Sequence, residues 1–246
     1  MIKFNFKNKN FVLTGAGKGI GFETLSKLYK SGAKISAVTR STSDIKNIKK
    51  KFSHNRVYVY HGDISKENDI KNFFLFSKKK LNRIDGLINN AGIRQRKSFL
   101  DINKKDFEDV INNNLRSTFK ISQLFSTIMK KNGGSIINIS SIVGPRGFKN
   151  LSGYAMTKSA INGLTKSLAV ELAKKKIRVN SICPGFIKSS YASKFKNNFA
   201  KLYKYTLDRT PLNRWGTCAE VASLILFILS EESSYIPGNE LYIDGG

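Results

Sequence analysis

The alternation of short apolar segments with longer amphipathic ones most constrains how this chain can fold. The short segments have the composition of strands, and they are Phe11–Thr14, Lys34–Thr39, Val57–Tyr60, Gly86–Asn89, Ser135–Ser140, Arg178–Ile182 and Glu240–Ile243. The segments between them have helical spacing, and they are Gly19–Lys30, Lys66–Lys80, Lys104–Lys130, Tyr154–Lys174 and Thr217–Ser230. Strands joined by helices in this way form parallel sheets that are buried on both faces. The sequence therefore predicts a doubly wound α/β fold with about seven mainly parallel strands.

Length and composition favour a single domain over residues 1–246 and exclude several classes of protein. A hydrophobic content of 40% is too high for a wholly disordered chain. Cys183 and Cys218 are too few for a disulfide framework or a four-thiolate zinc site, and two histidines leave little for a metal, so we expect no metal. No apolar run approaches the ~18 residues that span a bilayer. A strand already begins at Phe11, so we expect no signal peptide and a cytoplasmic protein.

The formal net charge of +26 leaves three interpretations open. The lysine runs Lys49–Lys51, Lys78–Lys80 and Lys174–Lys176 fall at the ends of predicted helices, where cations oppose the negative end of the helix dipole. A solvated surface with compositional drift toward lysine, which we favour, explains them without a partner. Attraction of an acidic partner is the second interpretation, and nucleic-acid binding is the third.

The first predicted strand runs directly into a glycine-rich loop, and a predicted helix follows that loop. Its glycines allow a tight turn and a close approach of the backbone to a ligand. Free N–H groups in such a turn, together with the helix N-terminus, suit a pyrophosphate. The loop therefore predicts nucleotide binding at Thr14, Gly15, Lys18, Gly19, Ile20 and Gly21.

This glycine spacing and several later motifs resemble the short-chain dehydrogenase/reductase family. The later motifs are, in chain order, Asn89-Asn90-Ala91-Gly92, Asn114-Leu115, Ser141, Tyr154-x-x-x-Lys158, Pro184-Gly185 and Ile243-Asp244-Gly245-Gly246. The resemblance covers essentially the whole chain. It implies a Rossmann-type fold and an NAD(P)-dependent enzyme that acts on a CH–OH or C=O group.

The resemblance implies a catalytic group of Asn114, Ser141, Tyr154 and Lys158. Tyr154 and Lys158 are spaced i, i+4 on one predicted helix, so their side chains share a face. An adjacent ammonium favours a phenolate, so we expect Lys158 to lower the pKa of Tyr154 and also to reach a ribose hydroxyl. Ser141 would donate to the substrate carbonyl oxygen, and Asn114 would hold a water behind Lys158. The family's usual spacing to the tyrosine selects Ser141 rather than Ser140.

The end of the second predicted strand bears on the choice of nicotinamide cofactor. NAD enzymes usually carry an acid there for the ribose 2′-hydroxyl, whereas this chain reads Ala37-Val38-Thr39-Arg40-Ser41. Arg40, with Lys18 in the glycine loop, would instead bind a 2′-phosphate, so we expect NADP(H) in preference to NAD(H). The resemblance adds as cofactor residues Asp63, Ile64, Asn89, Ala91, Gly92, Tyr154, Lys158, Pro184, Gly185, Ile187 and Ser189.

Two substrate classes and one function of another kind remain open. The segment Gly185-Phe186-Ile187 and the end of the chain resemble 3-oxoacyl-acyl-carrier-protein reductases, which predicts reduction of a small-molecule or carrier-bound carbonyl to an alcohol. The run after Gly92 is similar to gluconate 5-dehydrogenases and other sugar-acid or polyol enzymes. Two interpretations of Arg94, Arg96 and Arg146 stay open: they bind a substrate carboxylate or phosphate, or they belong to a basic loop near a subunit interface. A non-catalytic, basic nucleic-acid-binding protein on the same fold is the third alternative, against which the complete catalytic set argues.

A basic and aromatic stretch near residues 188–210 is interpreted as a lid over the site rather than a second domain. Its aromatic residues Phe195, Phe199, Tyr203 and Tyr205 are expected mainly to pack the lid onto the body. The resemblance also implies a homodimer or homotetramer in which the helices over Lys104–Lys130 and Tyr154–Lys174 pair with their copies. The apolar positions proposed for that pairing are Ile161, Leu164, Leu168 and Leu172, and no membrane partner is expected.

Overall fold

The computed structural model describes residues 4–189 and 198–246. Its main sheet has seven parallel strands in the order β3-β2-β1-β4-β5-β6-β9. They are β1 (Asn10–Thr14), β2 (Lys34–Thr39), β3 (Val57–His61), β4 (Gly86–Asn89), β5 (Gly134–Ile139), β6 (Ile177–Pro184) and β9 (Glu240–Ile243). Every predicted strand is present, and the doubly wound α/β class is confirmed.

Helices cover both faces of this sheet. They are α1 (Gly19–Lys30), α2 (Thr42–Lys51), α3 (Glu67–Lys80), α4 (Lys104–Val110), α5 (Ser117–Met129), α6 (Ser152–Leu172), α7 (Ala200–Asp208) and α8 (Cys218–Leu229). Two of the lysine runs lie in the last turns of α2 and α3, as the dipole argument predicts. Within the described part of the chain, no helix is both long and apolar enough to cross a membrane.

The two helical layers follow from the alternation of side chains along each strand. In β1, Leu13 belongs to one core cluster with Leu25 of α1 and Ile225 of α8. Its neighbour Val12 belongs to the opposite cluster, with Phe73 of α3 and Phe125 of α5. These side chains are completely buried, and each buried group of this size contributes roughly 1.5–3 kcal/mol. The sheet is therefore held from both sides, and its carboxyl edge is free to carry a site.

The sequence did not predict helix α2. This helix is mainly polar, with Ile45 and Ile48 as its apolar residues, so it gives little of the apolar signal that identifies a helix in a sequence. Its start is fixed locally, because the hydroxyl of Ser41 accepts a hydrogen bond from the backbone N–H of Asp44 at 3.3 Å. The helix places Asp44 against Gly17 of the glycine loop.

The long helix predicted over Lys104–Lys130 is interrupted. A π-helical turn at Ile111–Arg116 separates α4 from α5. Three successive asparagines, which have modest helix propensity, occupy the centre of this turn. Single π turns of this kind occur frequently at functional sites, and this one carries Asn114.

A small second sheet lies on either side of the predicted lid in the sequence. Strand β7 (Ile187–Lys188) pairs in parallel with β8 (Gly216–Thr217), so the chain leaves the body and returns at the same place. Helix α7 lies in this excursion, whereas Phe195 falls in the 190–197 segment outside the described residues. The ring of Tyr203 lies 4.9 Å from that of Trp215, which packs α7 onto the body.

Candidate active site

The glycine loop after β1 closes tightly at the start of α1. Gly15 has a φ of +69°, which favours glycine. A Cβ atom on Gly21 would overlap the carbonyl oxygen of Gly15 and press against the Asn90 amide. That amide donates to the carbonyl oxygens of Thr14 and Gly15, each at 3.0 Å. The loop is therefore fixed by backbone contacts that a larger residue would prevent.

A cleft of about 260 Å³ lies beside this loop, at the carboxyl ends of the strands. Its lining includes the predicted residues Gly15, Lys18, Arg40, Asp63, Ile64, Ala91 and Gly92. Strands β1 and β4 are neighbours although β2 and β3 intervene in sequence, so the winding of the sheet reverses here. Such a switch point is where doubly wound sheets bind dinucleotides. The cleft fits the adenosine half of such a cofactor.

Asp44 also lines this cleft, and the sequence did not predict it. Its carboxylate lies directly against Gly17, where any Cβ would overlap it, and Thr39 Oγ1 donates to Asp44 Oδ2 at 3.4 Å. The acid was missed because it lies beyond the end of β2, on the unpredicted helix α2. The cleft therefore has an anion near the two cations, Lys18 and Arg40, that are expected to favour NADP(H).

Asp63 is an anionic group of the same cleft. Burial opposes its ionisation, but hydrogen bonds from the backbone N–H and the hydroxyl of Ser65, at 3.0 and 2.8 Å, outweigh burial. The charge of Arg40 acts in the same direction as these bonds, and the pKa of Asp63 lies below its usual value. Asp63 thus remains an acceptor throughout the neutral range.

Two predicted cofactor residues, Thr14 and Asn89, have side chains that turn inward. Thr14 Oγ1 accepts hydrogen bonds at 3.0 Å from two successive backbone N–H groups after β4, starting with that of Asn90. Asn89 Nδ2 donates to Ser122 Oγ and Asn138 Oδ1 inside the core. Neither side chain lines the cleft, because both are used to join the strands and helices that shape it. The half-buried Asn90, rather than the predicted Asn89, lines the cleft at this place.

A second pocket of about 320 Å³, here called the tyrosine pocket, shares Asn90 with the cleft. It contains the predicted catalytic residues Ser141, after β5, and Tyr154, on α6. It also contains every residue that was expected beside the nicotinamide, namely Pro184, Gly185, Ile187 and Ser189, together with Ile20 of the glycine loop. The fold thus brings residues that are distant in sequence into one pocket next to the cleft.

The side chains of Ser141 and Tyr154 face each other in this pocket. Burial raises the pKa of Tyr154 above its usual value, although the charge of Arg94 and the adjacent Ser141 side chain act in the opposite direction. The prediction that Lys158 lowers the pKa of Tyr154 is therefore wrong for this structure. The Lys158 Nζ lies 5.5 Å from the centroid of the tyrosine ring and is directed toward the carbonyl oxygen of Ile139. Tyr154 is protonated at neutral pH.

Lys158 lies behind the tyrosine pocket and is nearly inaccessible. Its Nζ donates to the carbonyl oxygen of Ile139 at 2.7 Å. Burial lowers the pKa of Lys158 to about 8, and the nearby Cys183 partly opposes this effect. The hydroxyl of Ser140 donates to the backbone carbonyl of Lys158 at 3.2 Å and so anchors α6 to β5. The Ser140 hydroxyl is therefore used by the backbone of Lys158, and Ser141 is the serine whose side chain faces Tyr154.

Asn114 reaches the site from the π-helical turn. Its Oδ1 accepts from the backbone N–H of Ile93 at 2.8 Å, and its Nδ2 donates to Ile93 O at 3.0 Å and Thr157 Oγ1 at 3.1 Å. A Cβ on Gly92 would lie 3.0 Å from Asn114 Oδ1 and 3.8 Å from Lys158 Nζ. Asn114 and Lys158 thus flank the same glycine. The amide hydrogens of Asn114 already bond protein groups, so its water-holding role stays a prediction.

Three aromatic side chains that the sequence did not assign to the site form one wall of the tyrosine pocket. Phe186 stacks on Trp215 with 5.6 Å between ring centroids and meets Phe148 edge-on at 6.3 Å. The three lie on separate loops, so no spacing in the sequence indicates that they converge. Arg94 lines the same pocket, which makes it a cation close to the candidate catalytic tyrosine.

A model of the short-chain dehydrogenases, described as enoyl-(acyl carrier protein) reductase, matches residues 15–246. The chain belongs to the short-chain dehydrogenase/reductase family. It is an oxidoreductase of that family, and its cofactor is a nicotinamide dinucleotide. The glycine loop, the cleft at the switch point and the tyrosine pocket are the parts of the structure that suit this cofactor.

Individual relatives cover nearly the whole chain. The 3-oxoacyl-(acyl-carrier-protein) reductase FabG of Thermotoga maritima is 36% identical over 243 residues, which are 98% of both chains. Carbonyl reductase (NADPH) 2 of Sus scrofa is 34% identical over 248 residues, which are 100% of this chain and 98% of the relative.

Solved structures agree with this fold. A glucose/ribitol dehydrogenase of the family from Brucella melitensis has a TM-score of 0.93 at 30% identity, covering 100% of this chain and 98% of its own. A protein from Agrobacterium tumefaciens assigned as a gluconate dehydrogenase has a TM-score of 0.93 at 28% identity, with the same coverage.

Proposed function

We propose that this protein uses NADPH to reduce a carbonyl group to an alcohol, and that the carbonyl is that of a 3-oxoacyl thioester on an acyl carrier protein. The observation that carries this proposal is the joint placement of Ser141 and Tyr154 in one pocket, with Lys158 buried behind it. The similarity to the FabG reductase of Thermotoga maritima supports the substrate class.

The hydroxyls of Ser141 and Tyr154 face one pocket and can both bond a single carbonyl oxygen. When bound, the nicotinamide supplies the hydride. As negative charge develops on the oxygen, Ser141 stabilises it by donation and Tyr154 transfers its proton. The backbone N–H of Val143 donates to Ser141 Oγ at 3.2 Å, which leaves the serine hydrogen available. The raised pKa of Tyr154 suits the reductive direction, because the donor must be protonated.

Lys158 and Asn114 are proposed to return a proton to Tyr154. With a pKa of about 8, Lys158 changes its protonation state close to neutral pH. Asn114 would hold the water that continues this path to solvent. Lys158 would also bind a ribose hydroxyl of the cofactor. The remaining proposed cofactor contacts are those of Gly15, Lys18, Gly19, Ile20, Gly21, Arg40, Asp63, Ile64, Ala91, Gly92, Pro184, Gly185, Ile187 and Ser189.

Arg40 and Lys18 support the preference for NADPH. Both line the adenosine side of the cleft, where an arginine fork and a lysine ammonium suit a 2′-phosphate. Asp44 lies in the same cleft, but Thr39 Oγ1 donates to its carboxylate and the α2 N-terminus adjoins it. The name of the Sus scrofa relative also specifies NADPH.

NADPH oxidation with a panel of carbonyl compounds tests this function. The panel contains 3-oxoacyl thioesters of an acyl carrier protein, keto-gluconates and small diketones, each with NADPH and with NADH. We expect the thioesters with NADPH to give the highest kcat/KM. Absence of turnover with every carbonyl, combined with DNA binding that weakens steeply with salt, would instead favour the nucleic-acid alternative.

A sugar-acid or polyol dehydrogenase is the second candidate function. Arg94 in the tyrosine pocket favours it, since a guanidinium beside Tyr154 suits a carboxylate close to the reacting carbon. The Agrobacterium structure assigned as a gluconate dehydrogenase also supports it. In the panel above, higher kcat/KM for a keto-gluconate than for any thioester would select this function.

We further propose that the protein is a cytoplasmic homodimer or homotetramer. Apolar side chains are exposed along α4–α6, namely Phe107, Phe119, Met156 and Val170. Of the positions suggested by the sequence, some of which were expected to face the chain's own sheet, Ile161 is buried, Leu168 and Leu172 pack on the core of the same chain, and Leu164 is half-buried. Cys183 and Cys218 are free thiols, which suits a reducing compartment. Sedimentation as a monomer at micromolar concentration would contradict the assembly.

A further inference from the structure

A third cavity, of about 610 Å³, adjoins the tyrosine pocket, and we call it the arginine pocket. Ile142, Phe148 and Phe186 line both cavities. The edge-on pair of Phe148 and Phe186 therefore stands between them, with 6.3 Å separating the ring centroids. A boundary made of apolar side chains suits the hydrocarbon part of a ligand that occupies both cavities.

The lining of the arginine pocket is strongly cationic. It includes Arg96, Arg146, Lys149 and Arg209, against one acidic side chain, Asp244. Arg209 follows α7 and so also suits a helix dipole. The other three lie on loops after β4 and β5, where no helix end explains them.

These cations are held around an aromatic surface by contacts with the protein. Arg96 Nη1 lies 3.5 Å from the carbonyl oxygen of Lys149, and the guanidinium of Arg209 lies 5.4 Å from the ring centroid of Tyr205. Arg146 Nη2 is 3.7 Å from Asp244 Oδ2. An ion pair of this length with a largely exposed arginine is weak, so an incoming anion can compete for Arg146.

The loop after β4 connects this charge to the tyrosine pocket. Arg94 lines the tyrosine pocket, and Arg96, two residues later, lines the arginine pocket. One short segment thus places a cation in each of the two cavities. A substrate whose negative charge lies at a distance from its carbonyl would find Arg94 near the carbonyl and Arg96 near the charge.

We propose that the arginine pocket binds an anionic group of the substrate, a carboxylate or a phosphate, while the reacting carbonyl occupies the tyrosine pocket. This proposal rests on the reductase function proposed above. Guanidinium forks match the oxygen pairs of both anions. The anion could be the phosphate of a pantetheine arm or the carboxylate of a keto sugar acid, and the experiment has an arm for each.

The test variant is Arg146→Gln combined with Arg209→Gln, and the control is Lys204→Gln on α7, which removes one charge from outside the pocket lining. The first substrate pair is 3-oxobutanoyl pantetheine 4′-phosphate and 3-oxobutanoyl pantetheine. The second pair is a keto-gluconate and its methyl ester. In each pair the anionic group changes and the reacting carbonyl stays the same.

For one of the pairs, we expect the kcat/KM ratio of the anionic to the neutral substrate to fall about tenfold in the double variant. The control should keep the ratio of the parent protein. The pair that responds identifies the phosphate or the carboxylate as the ligand. Unchanged ratios in both pairs, from an enzyme that reduces the neutral substrates, would overturn the proposal and leave the reductase function intact.

Calorimetry tests the anion site separately from the reductase function. If the parent protein reduces none of these carbonyls, pantetheine 4′-phosphate and gluconate are titrated into it directly. Binding by the parent protein and by Lys204→Gln, with loss in the double variant, would still support the anion site. Equal binding by all three proteins, or none by any of them, would overturn it.

Discussion

The cofactor cleft and the substrate side of the molecule are held together by different kinds of contact. At the cleft, backbone touches backbone, as where Gly21 lies against the carbonyl oxygen of Gly15. On the substrate side, Phe148, Phe186 and Trp215 meet through their side chains from three separate loops. A backbone contact leaves no room for adjustment, whereas aromatic side chains can be exchanged or repacked. We therefore expect changes at the glycine loop of the cleft to abolish cofactor binding, and changes at the aromatic wall to alter selectivity for the substrate.

The largest effect should follow from Gly21→Ala. The new methyl group would overlap Gly15 and displace the loop, costing roughly 1–3 kcal/mol of stability and most of the affinity for NADPH. Gly163→Ala on α6 is the matched control, because its methyl group would meet no atom within 4 Å. Urea denaturation and NADPH titration measure both quantities. Normal cofactor affinity in Gly21→Ala would show that the cleft is not as rigid as described.

Lys158→Met should reveal the cost of the buried ammonium. Because burial lowers the pKa of Lys158 to about 8, the unfolded chain binds more protons than the folded chain between about pH 8 and the lysine's ordinary value. This residue therefore destabilises the fold below pH 8, and stability returns as the pH rises through that window. The full difference is at most about 3 kcal/mol.

We accordingly expect the cofactor-free Lys158→Met variant to be more stable than the parent protein at pH 7, with the gap narrowing toward pH 10. Denaturation of both proteins at each pH provides the measurement. A gap that does not vary with pH would mean that Lys158 has an ordinary pKa.

Arg40→Asp should change the selectivity of the cleft without disturbing its shape. Loss of the guanidinium and gain of a carboxylate should lower the preference for NADPH over NADH by about tenfold or more. Lys46→Asp on α2 makes the same change in charge outside the lining of the cleft and should leave the preference unaltered. Dissociation constants for both cofactors give the ratio, and an unaltered ratio in Arg40→Asp would remove Arg40 from the 2′-phosphate site.

Phe148→Leu should have the smallest effect. It changes the aromatic wall on the substrate side of the molecule rather than the cofactor cleft. The edge-on contact with Phe186 is worth about 0.5–1.5 kcal/mol, so KM for a carbonyl substrate should change by roughly threefold to tenfold. NADPH affinity should remain that of the parent protein. A larger loss of NADPH affinity than of substrate affinity would contradict the separation of the two regions.

The sequence predicted best what depends on local period and spacing. Strand and helix periodicity located all seven strands of the sheet, and the resemblance to the family indicated Ser141, Tyr154 and Lys158, which the fold brings together. It failed where position depends on contacts between distant segments. Asp44 was missed because α2 has few apolar residues, and the aromatic wall was missed because its members are far apart in sequence. The raised pKa of Tyr154 comes from burial, which spacing does not reveal.

Reduction by NADPH with Tyr154→Phe tests the central claim most directly. This change keeps the ring and removes only the hydroxyl that faces the tyrosine pocket, so the fold and NADPH affinity should survive. Loss of the general acid should lower kcat for a 3-oxoacyl thioester by about 10²–10⁴-fold. Near-parent kcat in a folded, NADPH-binding Tyr154→Phe protein would show that Tyr154 is not the proton donor.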